Sequence, residues 1–349
     1  MRTWLSKLFA NPQSGLVLVM ALIVVILSIF AGSHEDRLTG AKVNNFLNSH
    51  TLIQTATDAS FFAVMAIGAT LVIISGGIDL SVGSIYALAG IAMAMTLRAL
   101  GDLSPAATVC ISMGICVGVG LLGGLLNGVM VTGLNVHPFI ITLGTMWVFR
   151  GIAFVVSKAE SILVPDSLTA VIKASVGSGA LYPVPMLVMI AVTIIGGLYL
   201  AKTVMGRHIY AVGGNPEASR YSGLGLGRIR IGVYVVSGLT AGVAALVGSG
   251  YYGSASCADA TGYELYVVAS AVVGGASLSG GKGTALGAML GAILIVLIRQ
   301  SIRTLHLDQN YEWIIIGCAI IAAVVLDQVN ARLTGRRLLN LGAAAAKER

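Results

Sequence analysis

Charge is what this sequence has least of. Asp, Glu, Lys and Arg make up 10% of its 349 residues, where a soluble chain carries about a quarter. So few charges cannot clothe a water-facing surface, and with a mean hydropathy of +0.91 the chain must be dissolved in lipid. Proline is scarce as well, at 7 residues against 45 glycines, which suits helices packed closely through small residues. The apolar segments run without alternation, which excludes a β-barrel reading. The four cysteines (Cys110, Cys116, Cys257, Cys318) show no CxxC or Cys/His spacing. Neither a metal site nor a disulfide is expected from them, and the three within apolar runs read as small hydrophobes.

What is present is a series of long apolar runs, at about 15–31, 52–74, 81–97, 106–126, 136–156, 183–201, 231–251, 262–279, 285–301 and 311–328. Each is near the ~20 residues that cross a bilayer, so the expected architecture is all-α with about ten transmembrane helices. The run 262–279 is broken by glycine and is also compatible with a re-entrant segment. Arg2 and Lys7 before the first run resemble a signal peptide, but the run is long enough to span and no cleavage site follows, so it reads as a retained helix. With the N-terminus inside, the inward segments hold thirteen Lys or Arg and the outward ones seven. That bias obeys the positive-inside rule and places both termini in the cytoplasm. The net charge of +7 therefore reports orientation, and no nucleic-acid partner is expected.

The one long polar interruption of the second half that is strongly basic is 202–230, bounded by apolar runs, with Lys202, Arg207, Arg220, Arg228 and Arg230 against one acid, Glu217. A short helix is expected there, capped by Asn215 with Pro216 in its first turn and Glu217 complementing the helix dipole. A second feature is an internal echo. Gly76-Gly77-Ile78-Asp79-Leu80-Ser81-Val82-Gly83 parallels Gly274-Gly275-Ala276-Ser277-Leu278-Ser279-Gly280-Gly281, with Ala87-Leu88 matching Ala285-Leu286 in the same register. It suggests two related halves, the architecture of many transporters. Glycines at Gly114/Gly118, Gly120/Gly124/Gly128 and Gly283/Gly287/Gly291 share helix faces and read as packing seams.

Nucleotide motifs fail on inspection. Gly118-x-Gly120-x-x-Gly123 lies inside an apolar span without the strand or acid a dinucleotide fold needs. At Gly280-Gly281-Lys282-Gly283-Thr284 a P-loop would require Gly where Ala276 stands and Ser or Thr after Lys282. The chain reads as a transport subunit without an ATPase motor, not as an enzyme, and no catalytic constellation is found. Ionisable groups within spans are Asp58, Asp79, Arg150, Glu312 and Asp327, each a functional candidate by its cost in lipid. Glu312 and Asp327 read as solvated span ends. Asp79 fits equally a cavity lining at a glycine-flanked break or the N-cap of the next helix. The expected path for a hydroxylated molecule comprises Asp79, Ser81, Asn127, Phe139 and Thr142. An ion-coupled carrier or channel is the alternative, disfavoured because no carboxylate or histidine cluster lies at mid-membrane.

Several blocks carry a family resemblance. Gly77-Ile78-Asp79-Leu80-Ser81-Val82-Gly83, Leu126-Asn127-Gly128, Pro138-Phe139-Ile140-Ile141-Thr142-Leu143-Gly144, Arg150-Gly151, the stretch from Gly206 through Arg220 and 264–283 resemble the ribose-type permeases of bacterial ABC importers, over about residues 52–328. The resemblance implies one permease domain over 1–349, with basic tails at 1–14 and 329–349, embedded in the bacterial inner membrane as a dimer with a second copy or a sister permease. It implies two cytoplasmic ATP-binding subunits, which use ATP and Mg while this chain binds no cofactor, and a periplasmic sugar-binding protein. The implied cargo is a pentose, hexose, polyol or autoinducer-2-like molecule. Arg207, Gly213, Gly214, Asn215, Glu217 and Arg220 are the residues it assigns to ATPase coupling.

Overall fold

The computed structural model describes residues 12–35, 40, 42–175, 182–318, 321 and 325. Residues 1–11 and 329–349 of the expected basic tails, and Asp327, lie outside the described residues. In chain order the helices are α1 (Pro12–Phe30), α2 (Ser49–Ile74), α3 (Val82–Leu100), α4 (Pro105–Gly133), α5 (Pro138–Ser157), α6 (Asp166–Ile172), α7 (Val184–Lys202), α8 (Val204–Gly214), α9 (Pro216–Tyr221), α10 (Leu226–Tyr252), α11 (Tyr263–Val273) and α12 (Ala285–Thr304). Eight of them are long and apolar enough to cross a membrane. The expected span at 262–279 is instead an 11-residue helix, α11, ended by its glycines. The last expected span is helical at 311–318, and its remainder lies largely outside the described residues. Two short ribbons complete the chain, β1 (Ser33–Glu35) with β2 (Lys42–Asn44), and β3 (Ile162–Leu163) antiparallel to β4 (Ser254–Ala255).

The centre is α2, whose residues from Ala59 to Ile74 are all buried, packed against α10, α11 and α12. The α4–α10 contact is made by backbone. A β-carbon at Gly120 would overlap the Gly238 carbonyl, one at Gly124 the Tyr234 carbonyl, and one at Gly238 the Gly120 carbonyl. Of the expected seams this one holds, and Gly287 and Gly291 likewise meet Gly274 and Ser270. A β-carbon at Gly114 or Gly118 would meet nothing within 4 Å, so that expected seam packs against no helix. Cys116 and Cys257 are buried, Cys110 and Cys318 exposed, and all four are free thiols.

The two halves echo each other at their glycine turns. After α2, the Gly76 N–H donates to Ile73 O and the Gly77 N–H to Val72 O. After α11, the Gly275 N–H donates to Val272 O and the Ala276 N–H to Ala271 O. These are the same left-handed helix ending, with Gly76 at φ +84 and Gly275 at φ +95, a region that glycine enters freely. The structural register is therefore Gly76 with Gly275, one residue off the sequence match. The later match fails: α3 starts at Val82 and α12 at Ala285, so Ala87 lies in the second turn of its helix and Ala285 opens its own.

Candidate functional site

Two sites are built around these turns. The first is a buried polar network in the segment 75–81, between α2 and α3. Asp79 is 1% exposed, and its Oδ1 accepts from the Ser81 N–H at 2.9 Å and the Ser81 Oγ–H at 2.7 Å. Its Oδ2 accepts from the Ser237 hydroxyl of α10 at 2.8 Å. Asn127 of α4 donates to Ser81 Oγ at 2.6 Å and accepts from the Thr145 hydroxyl of α5 at 2.6 Å. Thr142 of α5 and Tyr234 of α10 both donate to the Ile78 carbonyl, each at 3.2 Å. The network ties an interrupted backbone to three helices, satisfying groups that lipid could not.

Four expected path residues, Asp79, Ser81, Asn127 and Thr142, are thus brought together. Phe139 is not: its side chain is 43% exposed and takes no part in the network. Asp79 is not a helix cap either, because Ser81 holds that position and Asp79 closes a turn two residues earlier. Ser237, Thr145 and Tyr234 were missed by sequence reasoning. Each is a single polar residue in a long apolar run, and the one available signal was a hydroxyl beside a packing glycine, Ser237 before Gly238.

The remaining intramembrane charges among the described residues find partners. Asp58 accepts from Gln54 at 3.0 Å and meets Arg303 at 3.5 Å. Glu312 is not a solvated end: it pairs with Arg299 at 2.7 Å and accepts from the Tyr266 hydroxyl at 2.9 Å. Arg299 lies over the rings of Phe62 and Tyr266, 5.6 and 5.5 Å from their centroids, a favourable cation–π arrangement.

The second site is the basic segment, which folds as two helices rather than one. Thr203 caps α8, its Oγ1 accepting from the Gly206 N–H at 3.0 Å. Ile209 and Val212 face inward and are fully buried. Asn215 then caps α9, its Oδ1 accepting from the Ala218 N–H at 2.9 Å, with Pro216 in the first turn, as the sequence predicts. Arg207, Gly214, Asn215, Glu217 and Arg220 are exposed, and Tyr221 projects 91% exposed at the end of α9. Gly213 alone among the expected coupling residues points inward. A β-carbon there would overlap the Ile74 carbonyl and lie 2.7 Å from the Gly281 nitrogen. The Gly281 N–H donates to that same Ile74 carbonyl at 2.8 Å. The Tyr210 hydroxyl donates to Gly283 O at 2.7 Å, and burial pushes its pKa above the usual tyrosine value, so it remains a donor. α8 is therefore wedged between the last residue of α2 and the second glycine turn. Among the described residues no group of acidic, His and Cys side chains could hold a metal.

No solved structure matches the chain. The D-allose transport system permease protein AlsC of Escherichia coli is 35% identical over 81% of this chain and 85% of its own length. The ribose import permease protein RbsC of Haemophilus influenzae is 34% identical over 87% and 90%, and the fructose import permease protein FrcC of Rhizobium meliloti is 32% identical over 88% and 84%. The profile of the family described as branched-chain amino acid transport system / permease component matches residues 51–324. Eight apolar helices, two glycine-broken turns and this shared sequence say that the chain is a multi-pass inner-membrane protein and belongs to that permease family.

Proposed function

We propose that this chain is the translocating subunit of an ATP-driven importer of a sugar or sugar-like polyol, and that α8 and α9 receive the push of a partner ATPase. The observation that carries the reading is the seating of Gly213 on both the Ile74 carbonyl and the second glycine turn. A helix pair exposed on its outer side and backbone-locked on its inner side has no soft layer in which to dissipate a displacement. A shift of α8 moves the end of α2 and the turn at 280–283 together. Through α2 it pulls on the segment 75–81 and the network around Asp79. Two packed arrangements related by such a shift are the ordinary basis of gating. Arg207, Gly214, Asn215, Glu217 and Arg220 then form the docking face. Asp79, Ser81, Asn127 and Thr142 form the joint that must rearrange, and Phe139 faces outward, toward lipid or a second permease copy. ATP and Mg belong to the ATPase, and sugar choice belongs to a periplasmic binding protein.

The test is reconstitution in proteoliposomes. The chain with its ATPase and binding protein should take up labelled sugar only with ATP inside and binding protein outside. Uptake by the chain alone, driven by an ion gradient, would overturn the proposal.

A further inference from the structure

We propose that the segment 253–262 is the outer gate of the path, that Arg150 is its latch, and that the Glu264 carboxylate beneath it accepts hydrogen bonds from the cargo's hydroxyls. The last clause rests on the importer reading above.

Depth gives the first argument. α11 has 11 residues, ~16 Å of helix, about half the ~30 Å of hydrocarbon. Its lower end runs into the glycine turn that touches Ile74 and Gly213. Its upper end meets the first turn of α3, where a β-carbon at Gly83 would come 2.6 Å from Ala260 O and 2.7 Å from Glu264 Oε2. α3 therefore begins about halfway across the bilayer. Ala255 touches Gly90, two turns farther along α3. From 255 to 260 the chain thus descends along α3 by ~10 Å of helix rise. Irregular backbone at such depth is tolerated where it is buried in protein or lines a cavity.

What holds the segment gives the second. Arg150 of α5 is 8% exposed, and its Nη1 donates to the carbonyls of Cys257 and Asp259. The Asp259 side chain folds back to accept from the Ser256 N–H at 2.8 Å. Ala260, the next residue, sits at φ +56, a left-handed conformation that alanine rarely adopts. One end of the segment is pinned just after β3 by the Val164 N–H, which donates to Gly253 O at 3.0 Å. An intramembrane arginine is costly, and this one is spent on two loop carbonyls.

The covered group gives the third. Glu264 Oε1 accepts from the Gly262 N–H at 3.3 Å, while Oε2 is enclosed and accepts no hydrogen bond. An enclosed carboxylate oxygen without a donor is poorly satisfied. Arg150 lies close by, its Nη2 being 3.6 Å from the same Gly83 β-carbon position. Lifting the segment opens this oxygen to donors arriving from outside, directly above the network around Asp79. A neutral, hydroxyl-rich molecule supplies such donors without bringing a charge.

The test uses the thiol the segment already carries. Cys257 is 2% exposed. In intact cells, with Cys110, Cys116 and Cys318 replaced, a membrane-impermeant maleimide should modify Cys257 slowly. Arg150→Gln should raise that rate by at least about tenfold, equivalent to ~1.4 kcal/mol of latch strength, and Arg150→Lys should raise it less. Should Arg150→Gln fail to accumulate in the membrane, Gly83→Ala, which drives against Ala260 O, should give the same increase. Rapid modification of the parent chain, or equal rates in parent and variants, would overturn the latch. Labelling needs neither sugar nor ATPase, so it stands or falls apart from the importer reading. In the complete transporter, Glu264→Ala should lower sugar uptake with Cys257 still protected and ATP hydrolysis retained, and Glu264→Gln should restore part of it. Unchanged uptake in Glu264→Ala would remove the carboxylate from the path.

Discussion

The two glycine turns share a helix ending and nothing else. The turn after α2 is filled by side chains, with Asp79 collecting three donors and Asn127 bridging Ser81 to Thr145. The turn after α11 is held largely by backbone, its Gly281 N–H on the Ile74 carbonyl and its Gly283 carbonyl under Tyr210. A side-chain network can exchange partners when it is disturbed, whereas backbone in contact with backbone can only move as a body. The first turn is thus suited to rearrange and the second to transmit, so a repeat in sequence has become a division of labour.

The sharpest way to break this comparison is at Gly213. Gly213→Val places two methyl groups against the Ile74 carbonyl and the Gly281 nitrogen, neither of which can rotate away. Overpacking of this kind costs about 1–3 kcal/mol or more. We expect a marked fall in the Tm of the detergent-solubilised protein and no ATP-driven uptake. A variant of parental Tm would show that the second turn is not clamped.

The first turn should yield by degrees. Asp79→Ala orphans the Ser237 hydroxyl and both Ser81 donors, for an expected loss of ~2–4 kcal/mol. Asp79→Asn keeps an acceptor for Ser81 and offers an amide donor to Ser237 Oγ, so about 1 kcal/mol is expected. Thermal melts of both variants check the ordering. Equal losses would mean that Asp79 fills space and does not organise the network.

Much of this was legible in the sequence, and the reasons separate cleanly. Spans are written in composition, because the lipid-facing positions of a helix must be apolar and polar ones inside it are few. The Asn215-Pro216 cap is written locally, because its hydrogen bond closes within three residues. Asp79, Ser81 and Asn127 were legible as polar residues at breaks in apolar runs, and Thr142 as a hydroxyl within the fifth span. Ser237 and Tyr234 could not be placed, since their role depends on which face of α10 meets the segment 75–81, a fact of tertiary packing. The same limit explains Phe139, which the periodicity of α5 alone does not assign to a side. It explains α11 too, because hydropathy does not distinguish a half-span closed by glycines from a short full span.

Smaller effects belong to the exposed side of α8 and α9. Asn215→Ala removes the acceptor for the Ala218 N–H, worth ~1 kcal/mol of local helix stability, and should weaken ATPase binding several-fold without altering membrane insertion. The smallest change to the fold is expected one residue from the largest. Gly214 is adjacent to Gly213, yet a β-carbon there meets nothing within 4 Å and its φ lies outside the left-handed region. Gly214→Trp should therefore keep the Tm within the ~0.5 kcal/mol scatter of surface substitutions. The indole nevertheless stands on the proposed docking face, so pull-down of the ATPase and ATP-driven uptake should both fall. Intact coupling in Gly214→Trp would move the docking face elsewhere on the cytoplasmic side and leave the inward clamp at Gly213 untouched, so the two neighbouring glycines separate transmission from reception.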